Sequence, residues 1–169
     1  MLSPKIILLV FLLLSACNYH LRGDIELAAG AETIYIEAGS DTLRQEISST
    51  LKFSSAAKLV KAPSEAAMTI KIAKESLKSW VLSMNAAGRS NELQLIYQLS
   101  FSMFDAKGKQ LLDEQNIKVK REYFNDQAAI LGKTNEELVI RGEMYKQAAS
   151  SIIGRINRAL EANNKAKSN

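Results

Sequence analysis

Cys17 is the residue of this chain whose type and position together indicate a specific covalent chemistry. It is the only cysteine in the sequence, so the chain offers it no disulfide partner. An unpaired thiol in an exported domain is open to oxidation, and attaching a lipid to the sulfur atom removes that liability. The residues on either side of Cys17 therefore decide how the thiol is interpreted.

The residues before Cys17 have the pattern of an export signal. Lys5 precedes an unbroken apolar run at residues 6–14. That run has about nine residues, which matches the roughly 7–15 residues of a signal-peptide core. A spanning helix needs about 20 apolar residues, so the run is too short to remain as an anchor. Small residues then complete the sequence LSAC at 14–17, which resembles a bacterial lipobox. We therefore predict a lipoprotein signal peptide at residues 1–16 and a lipid on Cys17.

An ordinary signal peptide followed by an incidental cysteine is the alternative interpretation of this segment. The residue after the cysteine is Asn18 rather than aspartate, so the inner-membrane retention signal typical of enterobacterial lipoproteins is missing. The resemblance to lipoproteins therefore implies the outer membrane. The polar residues up to position 32 show no periodicity, and we interpret residues 17–32 as lipid anchor and linker.

Residues that could support catalysis or metal binding are scarce. The chain has a single histidine, His20, which lies close to the predicted anchor and outside any predicted core. With Cys17 modified, neither a Cys–His pair nor a Ser–His–Asp triad can be assembled, and soft metal ligands are lacking. Adjacent carboxylates occur at 113–114 and 136–137, but a turn and a helix start explain them. We therefore predict no enzymatic activity, no metal and no cofactor.

The charge of the chain is moderately basic, with a formal net charge of +4 and a pI near 9.1. A basic domain raises the possibility of nucleic acid as a partner. An exported, membrane-anchored chain rarely meets nucleic acid, so anionic lipid or glycolipid head groups are the better candidates. After removal of the signal peptide about 150 residues remain, which is the size of one domain.

Alternating and helical periodicities divide this domain into elements. The strand at residues 93–103 has the clearest pattern, because apolar residues occupy every second position from Leu93 to Met103. A capping box formed by Thr134 and Glu137 is expected to start the last helix. In chain order we predict a strand at 33–37, a helix at 42–53, a weak extended piece at 59–60, a strand at 68–82, a turn at 85–90, a strand at 93–103, a turn at 105–108, a returning strand at 117–123 and a helix at 135–160.

Each predicted strand has one apolar face, so both helices should cover the same side of one sheet. We therefore predict an α+β fold in which two helices pack on one face of a four-stranded, mostly antiparallel sheet, in the order β-α-β-β-β-α. The domain would occupy residues 33–160, followed by a flexible polar tail at 161–169. The strands beside the 105–108 turn are unusually long, so the domain should be elongated.

Five basic residues are candidates for binding an anionic ligand: Arg89, Lys118, Lys120, Arg121 and Lys133. Lys118 and Lys120 fall on the non-core face of one strand. A right-handed crossover after the first strand would place the loops of Arg89 and Lys133 at one end, opposite the linker. A basic strip ending at that pole could hold a phosphorylated glycolipid through charge-assisted contacts. The alternative is that these side chains form an ordinary solvated face.

An ordered set of short motifs is similar to the LPS-assembly lipoprotein family, LptE. The sequence CNYHLRG at 17–23 resembles the C-G-[FW]-H-L-R start of that family. The match continues in order over nearly the entire mature chain, through LIY at 95–97, DAKG at 105–108, VKREYF at 119–124, NEE at 135–137, MY at 144–145 and IIGR at 152–155. This sequence departs from the family at Asn18, where glycine is usual, and at the first turn, where Arg89 follows Gly88 instead of preceding it.

The resemblance implies a fold of two helices on a four-stranded sheet. It also implies a protein that sits as a plug inside the LptD β-barrel, supports assembly of that barrel, binds lipopolysaccharide and helps deliver it to the outer leaflet. Lys118 and Lys133 correspond to basic positions in relatives. The alternative function is a lipid-anchored solute-binding protein or an accessory subunit of another envelope transporter, for which a deep apolar pocket between helices and sheet would be expected.

Overall fold

The computed structural model describes residues 30–54, 57–124 and 130–168. Its elements in chain order are β1 (Thr33–Glu37), α1 (Asp41–Ser54), β2 (Lys58–Leu59), a 3₁₀ helix (Pro63–Glu65), β3 (Met68–Met84), β4 (Ser90–Asp105), β5 (Gln110–Phe124) and α2 (Ile130–Ser168). The predicted signal peptide at 1–16 and the predicted lipidation site Cys17 lie outside the described residues. Neither described helix is both long and apolar enough to cross a bilayer.

The strands form one mixed sheet in the order β2-β1-β3-β4-β5. β1 is parallel to both of its neighbours, whereas β3, β4 and β5 form an antiparallel meander. The predicted α+β class is confirmed, with five strands in place of the predicted four. The additional strand is β2, which pairs Lys58 with Thr33 and Leu59 with Ile34. A strand of two residues is too short to show alternation, so its sequence indicates only an extended piece.

One face of the sheet is buried beneath both helices. On β4 the residues predicted to face the core are buried from Leu95 to Met103, because alternate side chains of a strand point to the same face. They join one continuous core with the inner residues of the other strands and of both helices. The largest fully buried side chains are Tyr97, Phe101, Ile34, Leu43, Ile47, Leu51, Met68, Ile70, Leu95, Met103, Met144 and Ile152.

Helix α1 begins where the sequence predicts it. The Ser40 hydroxyl accepts a hydrogen bond from the Leu43 backbone N–H at 3.2 Å, which satisfies one of the free donors of the first turn. Leu43, Ile47 and Leu51 recur at intervals of four residues, and all three are buried. The apolar stripe of this helix therefore fixes its packing against the sheet.

Helix α2 is longer than predicted at both ends. It begins at Ile130, so Thr134 lies inside the helix, and the prediction of a capping box at 134–137 is wrong. The Glu137 carboxylate instead accepts hydrogen bonds from the Tyr123 hydroxyl at 2.7 Å and from Arg141 Nε at 2.8 Å. The helix also continues to Ser168, beyond its predicted end near residue 160.

Two tight turns mark the opposite ends of the antiparallel strands. At one end Gly88, with φ of 72°, donates its N–H to Asn85 O at 2.9 Å. At the other end Gly108, with φ of 78°, donates to Asp105 O at 3.0 Å. We call the end with the turn at residues 85–89 the tip, and the end with the turn at 105–109 the base.

The two ends of the domain are far apart, as predicted. β3 has 17 residues, which corresponds to about 55 Å at roughly 3.3 Å per residue. Ile34 pairs with Met68, which in turn pairs with Asp105, so the chain enters the domain at the base. β5 ends and α2 begins toward the tip, which confirms the predicted grouping of these segments for the described residues.

β5 is the outer strand on one edge of the sheet. Helix α2 covers part of this edge, because Arg155 Nη1 donates to Asn116 O at 2.9 Å and Asn163 Nδ2 donates to Leu111 O at 3.3 Å. Two backbone carbonyls of the edge strand are therefore satisfied by helix side chains.

Candidate functional site

The antiparallel strands carry a second face, which we call the open face because both helices pack on the opposite side. It consists of the outward-pointing residues of β3, β4 and β5. The pairing register arranges them in rows across the three strands. Three successive rows toward the tip are Ser76–Gln98–Lys118, Lys78–Ile96–Lys120 and Trp80–Gln94–Glu122, and the row Ser83–Glu92–Phe124 lies beyond them.

Three exposed lysines, Lys78, Lys118 and Lys120, lie close together on the open face. Lys78 and Lys120 flank Ile96 in the same row, and Lys118 lies in the next row on the same strand as Lys120. Neighbouring strands are about 4.8 Å apart, so the Cα atoms of Lys78 and Lys120 are separated by about 10 Å. Flexible lysine side chains can converge on one ligand across that distance.

The charges of these lysines are not neutralised by their neighbours. Among the described residues, none of the three takes part in an ion pair. The closest carboxylates on this face have neutral partners, because Glu122 accepts from Gln94 Nε2 at 2.7 Å and Glu92 accepts from Ser83 Oγ at 2.9 Å. The three lysines outnumber these two carboxylates, so this part of the open face keeps a net positive charge toward an incoming anion.

Exposed apolar side chains lie beside the lysines toward the tip. Trp80 is 57% exposed, and Phe124 is 67% exposed. Both belong to the open face, Trp80 on β3 and Phe124 on β5. Large apolar side chains that cluster in solvent commonly mark a surface that binds a partner or a lipid. The open face thus has a basic area and, nearer the tip, two exposed aromatic side chains in rows that also contain Gln94, Glu122 and Glu92.

The structure separates the five predicted basic residues. Lys118 and Lys120 lie on the open face, and Arg89 lies exposed in the turn at the tip. Arg121 points to the helix side of β5, where its Nη2 donates to Gln147 Oε1 on α2 at 2.6 Å and its Nη1 donates to Lys120 O at 3.0 Å. Lys133 belongs to the first turns of α2, and its side chain lies outside the described part of the chain.

Lys78 was not among the predicted site residues. Its strand has an irregularity between Ala73 and Ser76, where Lys74 adopts a positive φ of 54°. The irregularity changes which alternate residues face the helices, so a single period-2 pattern cannot be followed through β3. The only available signal was the renewed alternation of Ser76, Lys78 and Trp80 beyond that point.

The same irregularity places Glu75 in a polar cluster beside α1. Its carboxylate accepts hydrogen bonds from the Tyr97 hydroxyl at 2.7 Å, from Ser40 Oγ at 2.6 Å and from Ser40 N at 2.7 Å. Burial, together with the hydrogen bond to Glu75, raises the pKa of Tyr97. The Tyr145 ring lies against that of Tyr97, with centroids 4.5 Å apart. This cluster joins β3, β4, α1 and α2.

A second tyrosine–glutamate contact lies nearer the tip. The Tyr123 hydroxyl donates a hydrogen bond to Glu137 on α2. Burial raises the pKa of Tyr123 to about 12, and this hydrogen bond is the second cause of the shift. Both tyrosines are therefore held as hydrogen-bond donors. Within the described ranges, no group of three or more His, Cys, Asp or Glu side chains is arranged to hold a metal ion.

A cavity of about 340 Å³ lies at the β2 edge of the sheet, beside the start of α1. Its lining residues are Tyr35, Ile36, Arg44, Leu59, Val60 and Lys61. Arg44 is engaged in local contacts, since its Nη2 donates to Gly39 O at 2.8 Å. Its lining includes the charged residues Arg44 and Lys61, so it lacks the mainly apolar lining of the pocket expected for a solute-binding function.

Comparison with known sequences matches residues 31–156 to the family model described as LptE: Lipopolysaccharide-assembly. A relative from Pectobacterium atrosepticum, named LPS-assembly lipoprotein LptE, is 23% identical over 165 residues. The alignment covers 95% of this chain and 89% of that protein. The similarity therefore extends over almost the full length of both chains.

Solved structures show the same architecture. An uncharacterized lipoprotein B from Nitrosomonas europaea superposes with a TM-score of 0.71 at 25% identity, covering 88% of this chain and 96% of that one. The rare lipoprotein B from Shewanella oneidensis has a TM-score of 0.60 at 21% identity, covering 81% and 99%. A minor lipoprotein from Acinetobacter baumannii has a TM-score of 0.62 at 16% identity, covering 76% and 92%. The fold is therefore one that bacterial lipoproteins share.

Proposed function

Because the chain belongs to the LptE lipopolysaccharide-assembly family, we propose that it is a non-enzymatic outer-membrane lipoprotein that forms a plug in the LptD β-barrel. In this role it supports barrel assembly, binds lipopolysaccharide and helps insert it in the outer leaflet. The family match over residues 31–156 is the observation that carries the proposal. No nucleic acid and no cofactor takes part.

The geometry of the domain fits the inside of a barrel. The sheet is long and narrow, and its open face is lined by polar residues such as Gln94, Gln98 and Ser102. The lumen of an outer-membrane barrel is polar, so a plug needs a surface that can form hydrogen bonds with it. The described part of the chain enters the domain at the base, which supports a lipid anchor at the end opposite the tip.

Lipopolysaccharide binding is assigned to the basic residues of the open face and the tip. Lys118 and Lys120 are exposed, and ammonium groups form charge-assisted hydrogen bonds with phosphate oxygens. Arg89 and Lys133 would extend this area at the tip. Arg121 is held by Gln147 and by its own strand, so we assign it the role of positioning β5 against α2.

Co-purification tests the plug. We expect a tagged full-length chain, extracted with mild detergent from native membranes, to be recovered with an outer-membrane β-barrel identified as LptD by mass spectrometry. A tagged lipoprotein of unrelated fold, expressed at the same level, controls for non-specific capture. Recovery of the chain only as a free monomer would contradict the proposal.

Charge reversal tests the glycolipid assignment. We expect Lys118→Glu combined with Lys120→Glu to weaken lipopolysaccharide binding by about 10²- to 10⁴-fold, because two charge-assisted contacts are lost and each contributes roughly 1.5–3 kcal/mol. Binding is measured by titrating purified lipopolysaccharide into the purified chain. Barrel co-purification should remain largely intact.

The chain contains a matched control for this variant. Lys107 and Lys109 are exposed lysines in the turn at the base, so Lys107→Glu with Lys109→Glu makes the same change in net charge far from the open face. This control should bind lipopolysaccharide like the unmodified chain. If the unmodified chain, the Lys118/Lys120 variant and the Lys107/Lys109 control bind lipopolysaccharide equally, Lys118 and Lys120 belong to an ordinary solvated face and do not bind the ligand.

A further inference from the structure

Basic and aromatic residues occupy different parts of the open face. Its lysines occupy the two rows farther from the tip, and Trp80 occupies the row nearer the tip. Phe124 pairs with Glu92, one row beyond Trp80. A ligand that lies along the strands would therefore contact the lysines with its end toward the base and the aromatic side chains with its end toward the tip.

We propose that Lys78, with Lys118 and Lys120, holds the phosphate groups of the glycolipid, while Trp80 and Phe124 contact its acyl chains. This inference rests on the proposed function, because it specifies how the same ligand lies on the protein. It adds one basic residue and two apolar residues that the sequence analysis did not assign. The sugar phosphates then point toward the base and the acyl chains toward the tip.

The phosphate position follows from the register. Lys78 and Lys120 are opposite each other across Ile96, about 10 Å apart at the backbone. A phosphate above Ile96 lies between the two ammonium groups, and Lys118 is one row away for a second anionic group. The nearby carboxylates of Glu122 and Glu92 accept hydrogen bonds from Gln94 and Ser83, and among the described residues neither forms an ion pair with these lysines.

The acyl position follows from exposure. Trp80 is 57% exposed and Phe124 is 67% exposed, so each retains apolar surface that a hydrocarbon chain can cover. Covering this apolar surface favours binding of an acyl chain. Trp80 is two residues from Lys78 along β3, which is about 7 Å, so head group and chain contacts can be made by one molecule.

The occupant is identified by this combination of charge and apolar surface. A lipid with phosphate groups and acyl chains matches both areas, whereas a polar barrel wall would use only the first. The open face is also the side of the sheet that both helices leave uncovered, so a long ligand can reach it without a rearrangement of the core.

The chain carries a built-in reporter for this test, because Trp80 is its only tryptophan. The mature lipoprotein is reconstituted in nanodiscs of phosphatidylcholine, and its tryptophan emission is followed during titration with two probes. One probe is lipid A, and the other is the same phosphorylated disaccharide with all acyl chains removed. We expect a blue shift of the emission with lipid A and no shift with the deacylated probe, although both bind.

A variant of Lys78 separates specific binding from partition of lipid A into the nanodisc. We expect Lys78→Glu to weaken binding of both probes by about tenfold and to move the blue shift to correspondingly higher lipid A concentrations, whereas Lys107→Glu should change neither. Phe124→Ala should weaken binding of lipid A only. A blue shift that is independent of Lys78, or no shift despite binding, would overturn the inference.

The outcomes distinguish this inference from the function on which it rests. If the unmodified chain binds lipid A but neither Lys78→Glu nor Phe124→Ala affects binding, the assigned contacts are wrong and glycolipid binding stands. If the unmodified chain binds neither probe nor intact lipopolysaccharide, the proposed function itself fails. If Lys78→Glu reduces only barrel co-purification, Lys78 contacts the barrel rather than a phosphate and the inference is overturned.

Discussion

Replacement of Glu75 with alanine is expected to lower the free energy of unfolding by about 3 kcal/mol, because buried donors that lose their acceptor cost roughly 1–3 kcal/mol each. The carboxylate accepts from the Tyr97 hydroxyl, from Ser40 Oγ and from Ser40 N. Tyr97 is fully buried, whereas Glu75 and Ser40 are only partly buried, so each of the three lost hydrogen bonds is counted at the low end of that range. Urea denaturation followed by circular dichroism measures the change.

Two further variants make this prediction specific. Tyr97→Phe removes one of the donors, so the effects of Glu75→Ala and Tyr97→Phe should be less than additive in a double-mutant cycle. Glu114→Ala is the control, since Glu114 is an exposed carboxylate that forms a surface ion pair with Lys74 at 3.1 Å. A loss of less than about 1 kcal/mol for Glu75→Ala, the range of a surface ion pair, would show that the cluster is not structural.

Loss of Cys17 is expected to release the domain from membranes. Each methylene of an acyl chain buried in a bilayer contributes about 0.8 kcal/mol, so removal of the lipid eliminates the main source of membrane affinity. We expect Cys17→Ala, fused to a signal peptide that is cleaved before residue 17, to be recovered in the soluble periplasmic fraction. The unmodified chain should require detergent for extraction.

The host for this experiment must lack the cognate barrel, because a barrel-bound domain would stay with the membrane without its lipid. The foreign signal peptide is needed because an uncleaved apolar run at residues 6–14 could itself hold the chain at the membrane. Mass spectrometry of the unmodified chain should show the acyl chains on Cys17. A mature N-terminus without lipid would support the ordinary signal peptide instead.

Much of the fold follows from patterns that span many residues. The alternation from Leu93 to Met103 and the periodicity of α1 both predicted which faces are buried, because a shift of register by one residue would expose an entire apolar set. The turns at 85–90 and 105–108 were equally clear, and the right-handed crossover then determined which segments share each end.

The remaining differences depend on interactions that no local pattern contains. The irregularity at residues 74–75 turns the Glu75 side chain toward Ser40. The hydrogen bond between these residues joins distant parts of the chain, so no local sequence motif indicates it. It also conceals Lys78, which limited the predicted site to residues on other segments. The capping box at 134–137 was misleading for the same reason, since Glu137 has Tyr123 as its partner.

The candidate site shows the same division. Alternation on β5 correctly placed Lys118 and Lys120 away from the core. The prediction that Arg121 lies beside these lysines is wrong. Adjacent residues of a strand point to opposite faces, so Arg121 faces α2 and donates a hydrogen bond to Gln147. Proximity across strands, which brings Lys78 to Lys120, depends on the register and could be read only from the pairing.

The contacts of α2 with the edge of β5 affect how readily the protein aggregates. An uncovered edge strand of 15 residues offers a template on which further chains can polymerise. Arg155 and Asn163 occupy carbonyls of that template from the side of α2. Pairing of this edge with the edge of another copy is thereby discouraged, so the long helix limits aggregation as well as covering the core.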